Sequence, residues 1–114
     1  AGLWGPGRDP AAWAARSSGA VRDDGRVWLN LIHGADAARA VAELLEHDHH
    51  GPLCLADGHP HRRRELYDAL LTHEGLEPVR WREKRGEGRR IANHRLLSLL
   101  QLQLEYPRYE PPGA

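Results

Sequence analysis

The chain has 114 residues, 40% of them hydrophobic and 28% charged, and its 16 basic and 16 acidic side chains balance to a formal net charge of zero. That length holds one domain at most, and the neutral balance argues against a protein whose chief partner is the nucleic-acid phosphate backbone. No apolar run approaches the roughly 18 residues of a membrane span, no basic-then-apolar signal segment opens the chain, and the lone Cys54 excludes an internal disulfide. A soluble cytoplasmic protein is therefore expected. The absence of any Met fits a piece of something longer.

The opening "AGLWGPGRDP" is turn chemistry, with Gly2, Gly5, Pro6, Gly7 and Pro10 interrupting any periodic structure. A short helix is expected around Trp13, then a turn at "DDG". "RVWLNLI" is rich in β-formers and predicts a strand. Asp36 is placed to cap the helix that follows, in which Ala37, Val41, Leu44 and Leu45 share a face, and Gly51 and Pro52 stop it. "PLCLA", near 52–56, is an apolar run of the kind buried on both faces of a parallel sheet. "HRRRELYDALLTHEGL" predicts an amphipathic helix with Leu66, Ala69, Leu70 and His73 inward, closed by Gly75. "VRWRE" alternates as a strand does. "KRGEGRR" is a charged loop. Asn93 caps a short helix driven by Leu96, Leu97, Leu99 and Leu100, and residues 106–114 form an extended, proline-rich tail. Strands alternating with helices indicate α/β. Three or so short strands make a poor sheet by themselves, and uncovered apolar edges invite aggregation.

Three groups of residues invite a chemical reading. "GLWGPG" lacks the preceding strand and the glycine spacing of a phosphate loop, so it is a structural turn. His47, His49, His50, His59 and His61 cluster near Cys54, but no zinc spacing is present, and solvated loop histidines outweigh a small metal-binding module. Arg62, Arg63, Arg64, Arg80, Arg82, Arg85, Arg89 and Arg90 could grip phosphate, against the plainer reading of exposed charges paired with Glu65, Glu83 and Glu87. His33 stands between an apolar strand and a helix start, where an isolated histidine is more often structural than catalytic. No catalytic residue and no metal ligand is identified.

Four segments in order nevertheless resemble the C-terminal half of extended and atypical short-chain dehydrogenase/reductases, the NAD(P)-dependent epimerase/dehydratase family. "AGLWGPGRDP" resembles the G-[IV]-Y-G-P-G-R turn, with Trp4 where Tyr is usual. "NLIHGADAARA" resembles [ND]-x-I-H-x-x-D-x-A through Asn30, Ile32, His33, Asp36 and Ala37. "GPLCLADGHPHRRRELYDALLTHEGL" is similar to the family's late strand–turn–helix, and "RRIANHRLLSLLQLQLEYPRY" to the ending of the atypical members.

The resemblance implies an α/β fold. It would be the C-terminal substrate-domain part of an extended Rossmann-type dehydrogenase, one partial domain over 1–114 that contributes the last sheet strand at 52–56. The glycine-rich cofactor loop and the Y-x-x-x-K pair of the N-terminal Rossmann half are not in these residues, so the chain by itself is expected to be non-catalytic and to hold no cofactor. NAD or NADP would bind mostly to that missing half, which is the implied partner beside an unidentified small-molecule substrate and a possible second copy of the chain. The resemblance places Ala1, Gly2 and Leu3 beside the nicotinamide, and Trp4, Asn30, His33 and Arg90 around the substrate. Sugar-nucleotide members carry a phosphate-clamping Arg four residues before the position of His33. This chain has Leu29 there, which favours the atypical branch. The alternative is a stand-alone, non-catalytic remnant that binds a protein partner through an exposed sheet edge.

Overall fold

The computed structural model describes residues 2–85, 88–100 and 103–112. Ten short elements follow in chain order: β1 (Gly2–Trp4), α1 (Pro10–Ala15), β2 (Val21–Arg22), β3 (Trp28–Leu29), β4 (Leu31–His33), α2 (Gly34–Leu44), β5 (His61–Arg62), α3 (Arg63–Glu74), β6 (Arg80–Trp81) and α4 (His94–Leu100). The strands form three two-stranded ladders. β1 runs parallel to β4, β2 parallel to β6, and β3 antiparallel to β5.

The expected strand "RVWLNLI" is therefore shared between two ladders. It breaks at Asn30, whose amide turns sideways to hold the 89–91 segment: Oδ1 accepts from the Ile91 N–H at 2.7 Å and Nδ2 donates to the Arg89 carbonyl. The opening segment is more regular than its glycines suggest. Gly2–Trp4 forms β1, and the turn begins only at Gly5, whose N–H and C=O both pair with Arg8. Gly5 and Gly7 take positive φ there, which side chains resist. "PLCLA" forms no ladder. Leu53 and Leu55 pack against Ala40, Leu96 and Leu100 of α2 and α4, and the strand-like contact comes one residue later, from the Asp57 N–H to the Leu31 carbonyl.

Helix faces follow the packing. In α3 the buried residues are Leu66, Tyr67, Leu70 and Leu71, while Ala69 and His73 face outward. They pack with Ala14, Leu31, Val79 and Tyr109 to form the main core. Gly75 ends α3 in the left-handed conformation at φ 67°, as its sequence position predicts. In α2 the buried residues are Asp36, Ala37 and Ala40; Val41 and Leu45 are exposed, not buried. Its N-cap is His33, whose Nδ1 accepts the Ala35 N–H at 3.0 Å, and not Asp36.

Asp36 has a different task. It is fully buried, and its carboxylate accepts the backbone N–H groups of Glu105 and Tyr106, each at 2.9 Å. Arg39, one helical turn on, bonds Asp36 at 3.1 Å and the Gln103 carbonyl at 3.2 Å. His59 completes the hold, its ring Nδ1 2.7 Å from the Pro107 carbonyl. A carbonyl only accepts, so Nδ1 carries the proton. The segment expected to be an extended tail is thus bound to the body, with Tyr109 in the core.

Replacing Asp36 strands two amide donors at once. Asp36→Ala is expected to lower stability by about 2–4 kcal/mol, with Asp36→Asn losing less because one acceptor survives. Urea unfolding monitored by circular dichroism checks this; an Asp36→Ala midpoint equal to that of the parent would refute the clasp.

Candidate functional site

β1 and β4 run side by side and end together, with the register pairing Trp4 with His33. Both side chains therefore emerge at the carboxyl end of the ladder. Their rings meet edge to face at 4.6 Å between centroids. The clasped tail adds two more rings. Tyr106 stacks on His33 at 3.7 Å, nearly parallel, and Tyr109 meets Trp4 edge-on at 4.9 Å. The Gly5–Pro10 turn closes the far side. Trp4, His33, Tyr109 and this turn line a cavity of about 440 Å³ with Arg8, Asp9 and Glu110 among its walls, while Tyr106 backs His33. Gly5 is needed for closeness: a Cβ there would lie 3.1 Å from His33 Nε2. Since His33 Nδ1 accepts a backbone N–H, the neutral ring carries its proton on Nε2, on the side of Gly5.

Burial shapes the polar groups around this nest. The Tyr109 hydroxyl is pushed up in pKa by burial and by the negative charge of Asp9. His61 is pushed down by burial and then by the neighbouring Arg108, and its Nε2 is buried without a hydrogen bond in the described structure. Trp4 Nε1 is buried and unbonded in the same way. Asp57, only 1% exposed, is pushed up to about 6 by burial, opposed by the His59 N–H bonded to its Oδ1 and by the charges of His59 and Arg108, and assisted by Asp36. Its Oδ2 has no hydrogen-bond partner.

Of the residues implied by the resemblance, Trp4 and His33 come together. Asn30 and Arg90 do not join them. Asn30 is occupied in holding the 89–91 segment. Arg90 lies 5.4 Å above Trp28 and lines a separate cavity. Ala1 lies outside the described residues. Gly2 spends its N–H on the Asn30 carbonyl and Leu3, 40% exposed, spends its C=O on Arg8 Nε. Tyr106 and Tyr109 went unnoticed in the sequence, although the paired tyrosines of "YPRY" were visible there, and His59 stood out only as one of the loop histidines. Among the described residues no group of three or more His, Cys, Asp or Glu side chains could hold a metal ion, and no helix is long and apolar enough to cross a membrane.

This arrangement belongs to a known architecture. The structure is a mixed α/β unit whose solved neighbours are Rossmann-type dehydrogenases, matched over about 40% of their length. One neighbour is MoeE5 in complex with UDP-glucuronic acid and NAD, with a TM-score of 0.64 and 19% identity over 91% of this chain and 40% of that one. Another is RMD from Pseudomonas aeruginosa complexed with NADPH, with a TM-score of 0.64 and 21% identity over 91% of this chain and 41% of that one. In sequence, Protein YeeZ of Escherichia coli strain K12 is 33% identical over 111 residues, covering 94% of this chain and 39% of that protein. The 2'-dehydrokanamycin reductase of Streptomyces kanamyceticus is 44% identical over 59 residues, 50% of this chain and 17% of that protein. The chain thus spans about two fifths of the length of the Escherichia coli relative. No family model matches it.

Asp57 supplies a pH test. Its folded-state pKa lies above the ordinary 3.8, so its contribution to stability is fully present below about pH 4 and is lost as pH rises through about 6. His61 acts oppositely: its depressed pKa makes the fold lose stability as pH falls below 6.5. Asp57→Asn isolates the first effect. The stability of this variant relative to the parent is expected to rise by about 2–3 kcal/mol between about pH 3 and about pH 7.5. Urea melts at both pH values measure the difference; a pH-independent difference would show that Asp57 titrates normally.

Proposed function

We propose that this chain is the substrate-binding portion of an NAD(P)-dependent epimerase/dehydratase-like oxidoreductase, working together with a Rossmann half that carries the cofactor loop and the proton-transfer residues. The observation that carries the reading is the aromatic cavity at the shared carboxyl end of two parallel strands. In open α/β sheets that end is where ligands bind. The similarity over 94% of the chain to a protein more than twice as long supports it. So does the fold shared with enzymes solved with NAD or NADPH.

Under this reading the cofactor supplies hydride chemistry from the partner half, and these residues form the wall against which the substrate rests. Trp4 and Tyr109 present ring faces and edges to a small organic molecule, while His33 Nε2 and the rim of Arg8 and Glu110 offer it polar contacts. Gly2 and Leu3 pass beside the nicotinamide. The name of the Streptomyces relative, a reductase of 2'-dehydrokanamycin, makes a polar, ring-containing substrate a reasonable class to screen first.

NADH and NADPH titrations, followed by fluorescence, test the division of labour. The whole polypeptide that contains this chain is expected to bind one of them saturably at micromolar concentration, and the 114-residue chain alone is expected to bind neither. Saturable micromolar binding by the chain alone would place the cofactor site within these residues and overturn the reading.

A second reading, a non-catalytic module that pairs with another protein through an open strand, is favoured by the exposure of Leu3 in β1 and Val21 in β2, at 40% and 49%. It predicts a chain that is folded alone and self-associates with rising concentration, and whose association is abolished by Leu3→Lys. Sedimentation velocity showing a monomer at every concentration would count against it.

A further inference from the structure

The ribbon of β3 and β5 has two faces, and the aromatic cavity concerns only one of them. The antiparallel register sets Leu29 opposite His61 and Trp28 opposite Arg62. Directly opposed residues share a face, and neighbours along a strand point to opposite faces. Leu29 packs into the core that holds Trp4 and Tyr109, and His61 meets Tyr109 edge-on at 6.2 Å. Trp28 and Arg62 therefore look the other way, out of that core. There the Arg62 guanidinium lies 3.8 Å from the centre of the Trp28 ring.

This second face is a cleft of about 940 Å³, and its lining is strongly basic. Among the described residues, Arg26, Arg62, Arg64, Arg82 and Arg85 line it, against the carboxylates of Asp24 and Glu83, with Arg64 also 3.8 Å from Asp68 on α3. Asp24 is itself engaged, accepting the Arg26 N–H and lying 3.9 Å from Arg26 Nε. In a chain with no net charge, five arginines lining one cleft against fewer carboxylates give it a locally positive potential. Three parts of the chain far apart in sequence supply them: the β3 approach, the β5–α3 junction and the segment after β6. Trp28 and Trp81 add flat apolar surface beside the charges. Arg62 is held in place from two sides, by the Trp28 ring and by its bond to the Arg26 carbonyl. A guanidinium fixed in this way loses little freedom when it grips an anion bidentately.

We infer that the Trp28–Arg62 cleft is a binding site for a phosphate-bearing small molecule, on the face of β3 opposite the Trp4–His33 cavity. It does not coincide with the phosphate clamp of sugar-nucleotide enzymes, whose position here is Leu29, on the other face. The zero net charge of the chain suits a small ligand better than nucleic acid. The cleft's basic lining and adjoining ring suit one or two phosphates, with room for a planar group against Trp28. The inference does not depend on the oxidoreductase reading, since it concerns residues on the opposite face.

Calorimetric titration of the whole polypeptide with pyrophosphate, and then with ADP, at fixed ionic strength is the test. Saturable binding is expected. Arg62→Gln should weaken it by about tenfold or more, as a fixed bidentate donor is lost. Arg85→Gln, at an exposed position that makes no core contact, should weaken it by about threefold and keeps the test valid if Arg62→Gln misfolds. Arg16→Gln, at the far end of α1, should leave it unchanged. Where Arg62→Gln weakens the binding, a preference for ADP over pyrophosphate would assign the ring to Trp28, and equal binding would assign the site to phosphate alone; both support the site. No saturable binding of either probe, binding that neither Arg62→Gln nor Arg85→Gln weakens, or equal weakening by Arg16→Gln, would overturn it.

Discussion

The carboxylate of Asp36 is the point on which the candidate site depends. A buried charge is costly unless its bonding capacity is met, and here it is met by the chain's own distant end: two consecutive backbone N–H groups and one guanidinium. The arrangement works in both directions. The tail would otherwise carry unbonded amides against the body of the protein, and Asp36 would otherwise be an unpaired charge inside it. Once the pair forms, Tyr106 lies on His33 and Tyr109 enters the core beside Trp4. A residue seventy positions away from the tail thus builds one wall of the cavity.

The same economy governs the short strands. None of the ladders exceeds three residue pairs, too few to be stable alone. Side chains supply what the ladders lack. Asn30 holds the 89–91 segment, Arg62 reaches back to the carbonyl of Arg26, and Trp81 donates its Nε1–H to Asp68 on α3 at 2.9 Å. Breaking the "RVWLNLI" run at Asn30 lets one stretch of chain serve two ladders, and so lets the two faces of β3 serve different surroundings.

The helices were readable in the sequence wherever periodicity and a stop signal agreed. α3 is the clear case: its apolar spacing and Gly75 locate it within a residue or two. The face of α2 was misread for an instructive reason. Taking Asp36 for a surface cap turns the helix so that Val41 and Leu45 point inward. With Asp36 inside, the buried stripe runs through Ala37 and Ala40, and those two larger residues turn outward. A polar residue in a buried stripe cannot be recognised until its partners are known, and these lie in the tail. The ladders were illegible for a related reason, since two-residue pairings between distant segments leave no periodic trace. Trp4 and His33 could be singled out only through the resemblance, whereas Tyr106 and Tyr109 needed the fold to bring them in.

The outward turn of Val41 and Leu45 bears on what the chain requires. Leu45 is 84% exposed on a helix whose other face is filled with small residues, and the edge of β1 away from β4 joins no ladder among the described residues. Single exposed apolar residues are ordinary, but an exposed apolar helix stripe together with an open strand edge is surface that water leaves poorly satisfied. The proposed Rossmann half would cover such surface with strand pairing and helix packing, at no cost to the cavity, which opens at the carboxyl end of β1 and β4 and not along their edges. The interaction-module reading would cover it with a second protein. Both readings require a partner at the same place, and they differ in whether that partner also brings a cofactor to the end of β1.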